Sequence, residues 1–170
     1  MKIDLNAPDL AVIALGGNMP GVYPSMAWAL AAAAARLPEE GFEMLAVSRW
    51  WRSAAWPDPA DPPFLNGVVL ARTDLEPEAA LRALHRIEAA FGRDRGAPNA
   101  PRTLDLDLIA LGPLVLPGPP IVLPHPRAAE RLFVMGPLAE IAPDWRHPQT
   151  GETAEKLASH ASIGQDAVPQ

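Results

Sequence analysis

Residues 92–111 read GRDRGAPNAPRTLDLDLIAL, and the second half of this stretch decides the fold. From Leu104 to Leu108 apolar and acidic residues alternate, and Ile109 to Leu111 continue as a wholly apolar run. A period of two marks a strand with one buried face. Leu104, Leu106 and Leu108 therefore share the core face, while Asp105 and Asp107 stand side by side on the other. Neighbouring carboxylates repel and raise each other's pKa unless a cation lies between them. A hard divalent ion with oxygen ligands, Mg2+ above all, meets that need. Just upstream, Arg93, Arg95 and Arg102 occupy a stretch too rich in Gly and Pro for helix or strand. Arginine forks grip phosphate oxygens two at a time. An acidic metal pair beside an arginine loop is the equipment of phosphoryl transfer. The plainer alternative is a solvated strand face with simple ion pairs.

Working outward, Leu10–Leu15 (LAVIAL) is a continuous apolar run that reads as a buried strand. It leaves through Gly16-Gly17-Asn18, a turn with no P-loop lysine behind it. A helix is predicted over 24–37, with Pro24 in its first turn and an alanine run inside. Strands are predicted over 42–53 and 64–73, separated by a proline-heavy loop at 54–63. Leu81, Leu84, Ile87 and Phe91 fall at helical spacing, so a second helix runs from Glu76 to about Phe91 and Gly92 ends it. Glu88 sits on its last turn, within reach of the acidic strand.

Beyond that strand, residues 112–126 are rich in proline and predict an irregular connection. It delivers His125 between two prolines, a restricted setting that suits a positioned functional group; a plain turn histidine is the alternative. A short helix within 127–138, a hairpin at 144–153 and a helix at 154–160 follow, and residues 160–170 are expected to fray. The series β-α-β-β-α-β predicts an α+β, ferredoxin-like sandwich with a proline-rich C-terminal extension of short helices. Its helices would lie on one sheet face, leaving the other to carry Asp105 and Asp107 on a central strand.

The 170 residues fit one domain, 49% apolar and 20% charged. A net charge of −6 argues against nonspecific binding to nucleic acid or an anionic membrane. The cluster Arg86, Arg93, Arg95 and Arg102 is more pointed against that background, although only Lys2 and Lys156 are lysines, and genomic base composition is the alternative to a functional choice of arginine. With no cysteine, disulfides and thiolate metal sites are excluded. No apolar run reaches about 18 residues, and no signal sequence opens the chain, so a cytoplasmic monomer is expected.

Several stretches together resemble the 6-hydroxymethyl-7,8-dihydropterin pyrophosphokinase family: IALGGN (13–18), FLNGVV (64–69), RIEAAFGRDR (86–95), PRTLDLDL (101–108), LPHPRAAERLFV (123–134) and PLAEIAP (137–143). The resemblance implies two Mg2+ ions and ATP, and transfer of an intact diphosphate to the pterin hydroxymethyl oxygen, leaving AMP. By position, Asp105 and Asp107 would hold both ions, with the proton acceptor open between Asp107 and a metal-bound hydroxide. Arg93, Arg95 and Arg102 match phosphate-gripping arginines of a lid loop; Glu88, His125 and Arg131 match positions around the nucleotide. Asn66 would read the pterin amide edge, since a carboxamide both donates and accepts. Phe64 and Phe133 match aromatics that sandwich the pterin, ordinary core being the alternative for both. Ser53 and Ala54 fall where the family often has Thr-Pro, and Trp56 where it often has Leu. Gly17 replaces a usual serine, Pro120 and Pro126 stand where some members have Arg and Tyr, and the APNA segment (97–100) lacks the Trp and extra Arg of many lid loops. Two other readings remain open at this point: another two-metal nucleotidyltransferase or phosphodiesterase, and a non-catalytic nucleotide- or pterin-binding module.

Overall fold

Strand β1 (Leu10–Gly17) runs through the middle of an antiparallel sheet, with β4 (Phe64–Arg72) on one side and β5 (Asp105–Leu111) on the other. The computed structural model describes residues 2–92 and 104–170. Beyond β4 lie β2 (Glu43–Val47) and β3 (Trp51–Ser53), which pair one after the other along its length, and then β8 (Val168–Pro169). The architecture is thus mixed α/β around an antiparallel sheet. Between the long strands run α1 (Met26–Ala34) and α2 (Pro77–Ala90). Ser25 caps α1 by accepting from the Trp28 amide at 3.2 Å, and Pro77 takes the first turn of α2, where its missing N–H costs nothing.

Alternation sorts the side chains between two cores. Ala11, Ile13 and Leu15 of β1, Leu65, Val69 and Ala71 of β4, and Leu104, Leu106 and Leu108 meet Leu30, Ala33, Leu84 and Ile87 of α1 and α2. Val12, Val68, Leu70 and Ile109 point the other way, against α3 (Leu132–Ile141) and α4 (Ala154–His160). Helices therefore pack on both faces, which corrects the expectation of a single helical layer. The second layer exists because Val134, Met135, Leu138 and Leu157 need an apolar partner, and half of that sheet face supplies one.

Three further expectations are corrected. The acidic strand is not central: among the described residues β5 pairs with β1 alone and forms one end of the sheet. Its outer edge is covered nonetheless, because the Leu106 amide donates to Glu88 Oε1 at 2.9 Å and the Ile109 carbonyl accepts from the His125 amide at 2.8 Å. Residues 42–53 are not one strand. Ser48 breaks them, its Oγ accepting from the Val68 amide at 2.9 Å in place of a backbone carbonyl. The tail does not fray: Val168–Pro169 pairs with β3, and the Gln170 amide donates to the Trp50 carbonyl at 2.9 Å. Within the proline-rich connection a small hairpin forms from β6 (Leu116–Pro117) and β7 (Val122–Leu123).

Candidate active site

The strand register sets the site. Gly16 of β1 lies opposite Asp105 on one side and Asn66 on the other, and Asn66 in turn faces Trp51 of β3. One row across the sheet is therefore Asp105, Gly16, Asn66, Trp51. Asp107 lies one pleat along, opposite Ala14, and Phe64 lies one pleat along from Asn66, opposite Ser53. Because i and i+2 share a face, Asp105, Asp107, Asn66, Phe64, Ser53 and Trp51 all belong to the sheet face that α3 covers in part. With strands about 4.8 Å apart, Asp105 and Asn66 stand two spacings, roughly 10 Å, from each other. Gly16 lets the Asn66 carboxamide lie over β1: a Cβ there would collide with Asn66 Oδ1.

The rim comes from the segment after β7. His125 is half-buried, anchored through its amide to Ile109, and its Nδ1 accepts from the Arg127 amide at 3.2 Å. Burial pushes the His125 imidazole below its ordinary value; Asp107 and Asp105 pull it upward, while Arg131 and Arg127 push it down. Arg131 feels burial and Arg127 lowering its pKa against the opposing pull of Asp107, Asp105 and Glu130, and its guanidinium carbon lies 5.7 Å from the Phe133 ring centre. Two carboxylates, one imidazole and two guanidiniums therefore share one field at the β5 end of the row.

Most site residues predicted from the sequence converge here. Asp105, Asp107, His125 and Arg131 form the charged end; Ser53, Phe64, Asn66 and Phe133 line the apolar and polar remainder. Ser53 is buried, and Phe64, Asn66 and Phe133 are half-buried. Trp56 stands 86% exposed on the loop after β3, outside any core. Glu88 is 1% exposed and holds β5 from its helix side, through the Leu106 amide. Arg86 turns away to Glu40, 2.8 Å from it. Arg93, Arg95 and Arg102 lie outside the described residues.

Four residues escaped the sequence reading. Trp51 joins the Asn66 row, and its ring rests on Gly136 of α3, where a Cβ would come within 2.6 Å of it. Its indole N–H donates to Glu140 at 3.3 Å. Glu140 also accepts from the Arg49 amide at 2.7 Å and pairs with its guanidinium at 2.9 Å. Partial burial raises the Glu140 carboxyl, but these bonds outweigh it and hold the pKa below the usual range. Arg127 adds charge at the rim, and Asp166 reaches the Ala54 amide at 2.6 Å. Counting back by two from Ser53 marks Trp51, and Arg127 lies two residues from His125; Glu140 and Asp166 depend on contacts distant in sequence.

Chemically, paired carboxylates next to cationic side chains suit a polyanion carried with a metal ion. Among the described residues no group of three or more acidic or imidazole ligands forms a closed metal cage. Mg2+ characteristically binds one or two carboxylates and completes its shell with substrate phosphates and water, so a two-carboxylate donor set fits it.

Residues 12–143 match the model of the 7,8-dihydro-6-hydroxymethylpterin-pyrophosphokinase (HPPK) family. The chain is 43% identical over 147 residues to a 2-amino-4-hydroxy-6-hydroxymethyldihydropteridine pyrophosphokinase of Synechocystis sp., covering 86% of this chain and 73% of that one. It is 39% identical over 158 residues to the enzyme of that name from Pseudomonas aeruginosa, covering 92% and 95%. Its backbone is similar to a triple mutant of Plasmodium falciparum HPPK-DHPS, with a TM-score of 0.68 at 13% identity. That similarity covers 88% of this chain but only 44% of the longer one.

Proposed function

The chain belongs to the HPPK family, and from that premise we propose that it transfers diphosphate from ATP to the hydroxymethyl group of 6-hydroxymethyl-7,8-dihydropterin, giving AMP and the pterin diphosphate in folate biosynthesis. One observation carries the assignment to particular residues: a single row across the sheet joins Asp105 to Asn66 through Gly16, over which the Asn66 carboxamide lies. A flat pterin read by the Asn66 carboxamide points its hydroxymethyl arm along that row toward the acidic end. The strand order β5-β1-β4-β2/β3, with α1 and α2 on one face, supports the ferredoxin-like reading.

Asp105 and Asp107 are the carboxylates that hold Mg2+, as two ions. When bound, those ions neutralise phosphate charge and orient the triphosphate. The remaining work falls to side chains. Asn66 donates and accepts along the pterin amide edge. Phe64 and Phe133 supply the flat apolar walls, and Ser53, Ala54 and the exposed Trp56 border the same end. Arg131 and His125 present N–H donors to the nucleotide. Arg93, Arg95 and Arg102 match the family's phosphate-gripping positions, and Glu88 fixes the strand between the two aspartates.

In the transfer, the pterin oxygen forms a bond to the middle phosphorus of ATP. The bond from that phosphorus to the oxygen bridging it to the first phosphate breaks, AMP departs, and one proton leaves the hydroxyl. Catalysis is therefore positioning and charge stabilisation. Incubation with ATP, Mg2+ and the hydroxymethyl dihydropterin is expected to give AMP and the pterin diphosphate in equal amounts. ADP as the nucleotide product, or pyrophosphate released without pterin, would refute the assignment.

A further inference from the structure

Residues 162–170 lie beyond the span matched by the family model and touch both walls of the pterin end of the site. On the α3 side, the Ser162 and Ile163 amides donate to the Glu130 carbonyl at 3.1 and 2.9 Å, and the Leu132 amide donates to the Ile163 carbonyl at 2.9 Å. Gly164 follows with φ +71°, and a Cβ there would lie 2.5 Å from Phe133 Cδ1. The Phe133 ring thus rests on backbone that tolerates no side chain. Two residues on, Asp166 Oδ2 accepts from the Ala54 amide at 2.6 Å. The chain then turns, the Ala167 amide donating to the Gly164 carbonyl at 2.9 Å. It ends alongside β3, with Val168 opposite Arg52 and Pro169 opposite Trp51. Within a few residues one segment passes from Phe133 to Ser53-Ala54, two groups more than 70 positions apart in sequence.

We infer that residues 162–170 set the separation between these two walls, and that Asp166 is a positioning residue for the pterin, acting through the Ala54 amide. Ladder pairing between β3 and β4 ends at Ser53–Phe64, so Ala54 is the first residue of the loop that leaves the sheet. A carboxylate bond at the root of a loop fixes the direction in which the rest departs. The bond is exposed and neither of its residues belongs to either core cluster, so its loss changes how the loop is held more than whether the chain folds. The inference rests on the pterin reading of Ser53, Ala54 and Phe133.

The test is steady-state kinetics on the full chain, each substrate varied in turn. Asp166→Ala is expected to raise KM for the pterin about fivefold, as for loss of one exposed charge-assisted hydrogen bond. The kcat and the KM for ATP should stay within about twofold, and Tm should hold. Asp166→Asn keeps an acceptor oxygen and is expected to restore most of the affinity. On an Ala54→Pro background, which has no amide N–H to donate, Asp166→Ala should add nothing. Gly164→Ala displaces Phe133 and is expected to weaken the pterin while sparing ATP. An unchanged pterin KM in Asp166→Ala, or equal rises for both substrates with a lowered Tm, would overturn the positioning role while leaving the diphosphate transfer intact. An unaltered chain that neither binds nor turns over the pterin would overturn both.

Discussion

Replacing Gly16 by alanine separates the pterin end of the site from the phosphate end. Gly16 lies within regular strand β1 and carries no positive φ, so alanine fits its backbone. The new methyl meets the Asn66 carboxamide, the free end of a side chain that can rotate away. Forcing Asn66 into another rotamer costs the fold about 0.5–1.5 kcal/mol, a fall in Tm of a few degrees at this size. The rotated carboxamide no longer presents its donor and acceptor to the pterin edge. Two hydrogen bonds at about 1 kcal/mol each amount to ~30-fold in affinity. Titrating pterin and a nonhydrolysable Mg2+–ATP analogue by calorimetry reads both ends at once. Gly16→Ala should lose pterin affinity by that factor and keep the nucleotide, and adding Asn66→Ala should cost nothing more. Retained pterin affinity, or an equal loss for the nucleotide, would refute the proposed role of Gly16 in seating the Asn66 carboxamide.

Glu88→Ala strands the buried Leu106 amide and is expected to lower stability by at least about 1–3 kcal/mol in a denaturant melt, whereas Glu88→Gln, which still accepts, should recover most of it. His147 is buried, with Nδ1 accepting from the Gln149 and Thr150 amides at 3.2 and 3.3 Å. Burial lowers its pKa despite the upward pull of Glu152. The unfolded chain therefore takes up the proton first, so stability is full above about pH 6.5 and falls as pH drops below it; His147→Gln should flatten that slope in Tm measured from pH 7 to 5. Trp56→Ala removes an 86% exposed ring and is expected to raise KM for the pterin with Tm unchanged; a drop in Tm instead would mark Trp56 as packing.

Much of this was legible in the sequence because it rests on short-range periodicity. The Leu104–Leu111 alternation placed the aspartates on one face, and the spacing of Leu84 and Ile87 placed α2 on the other. What the sequence hid was decided by contacts across the chain. Trp50 and Trp51 are adjacent and identical, and the break at Ser48 and the bare backbone of Gly67 and Gly136 send one ring against the α1/α2 core and the other onto α3. Val168–Pro169 has no pattern of its own; it is a strand because β3 offers an unpaired edge. The edge position of β5 was equally hidden, since Glu88 and His125 cover its outer groups from elements 18 residues back and 16 residues on. Among the site residues, Asp105 and Asp107 were readable from residue type and strand phase and Asn66 from the family resemblance, whereas the shared field of His125, Arg131 and Asp107 was visible only once the chain was folded.

The most direct measurement compares Mg2+–nucleotide binding and turnover in the unaltered chain with Asp105→Asn and Asp107→Asn, pterin affinity serving as the internal reference. The account predicts that each variant loses Mg2+-dependent nucleotide binding and ~10³-fold or more in turnover, as for a charge-stabilising group, and still binds pterin normally. Wild-type turnover in both variants, or Mg2+–nucleotide binding that ignores them, would contradict it.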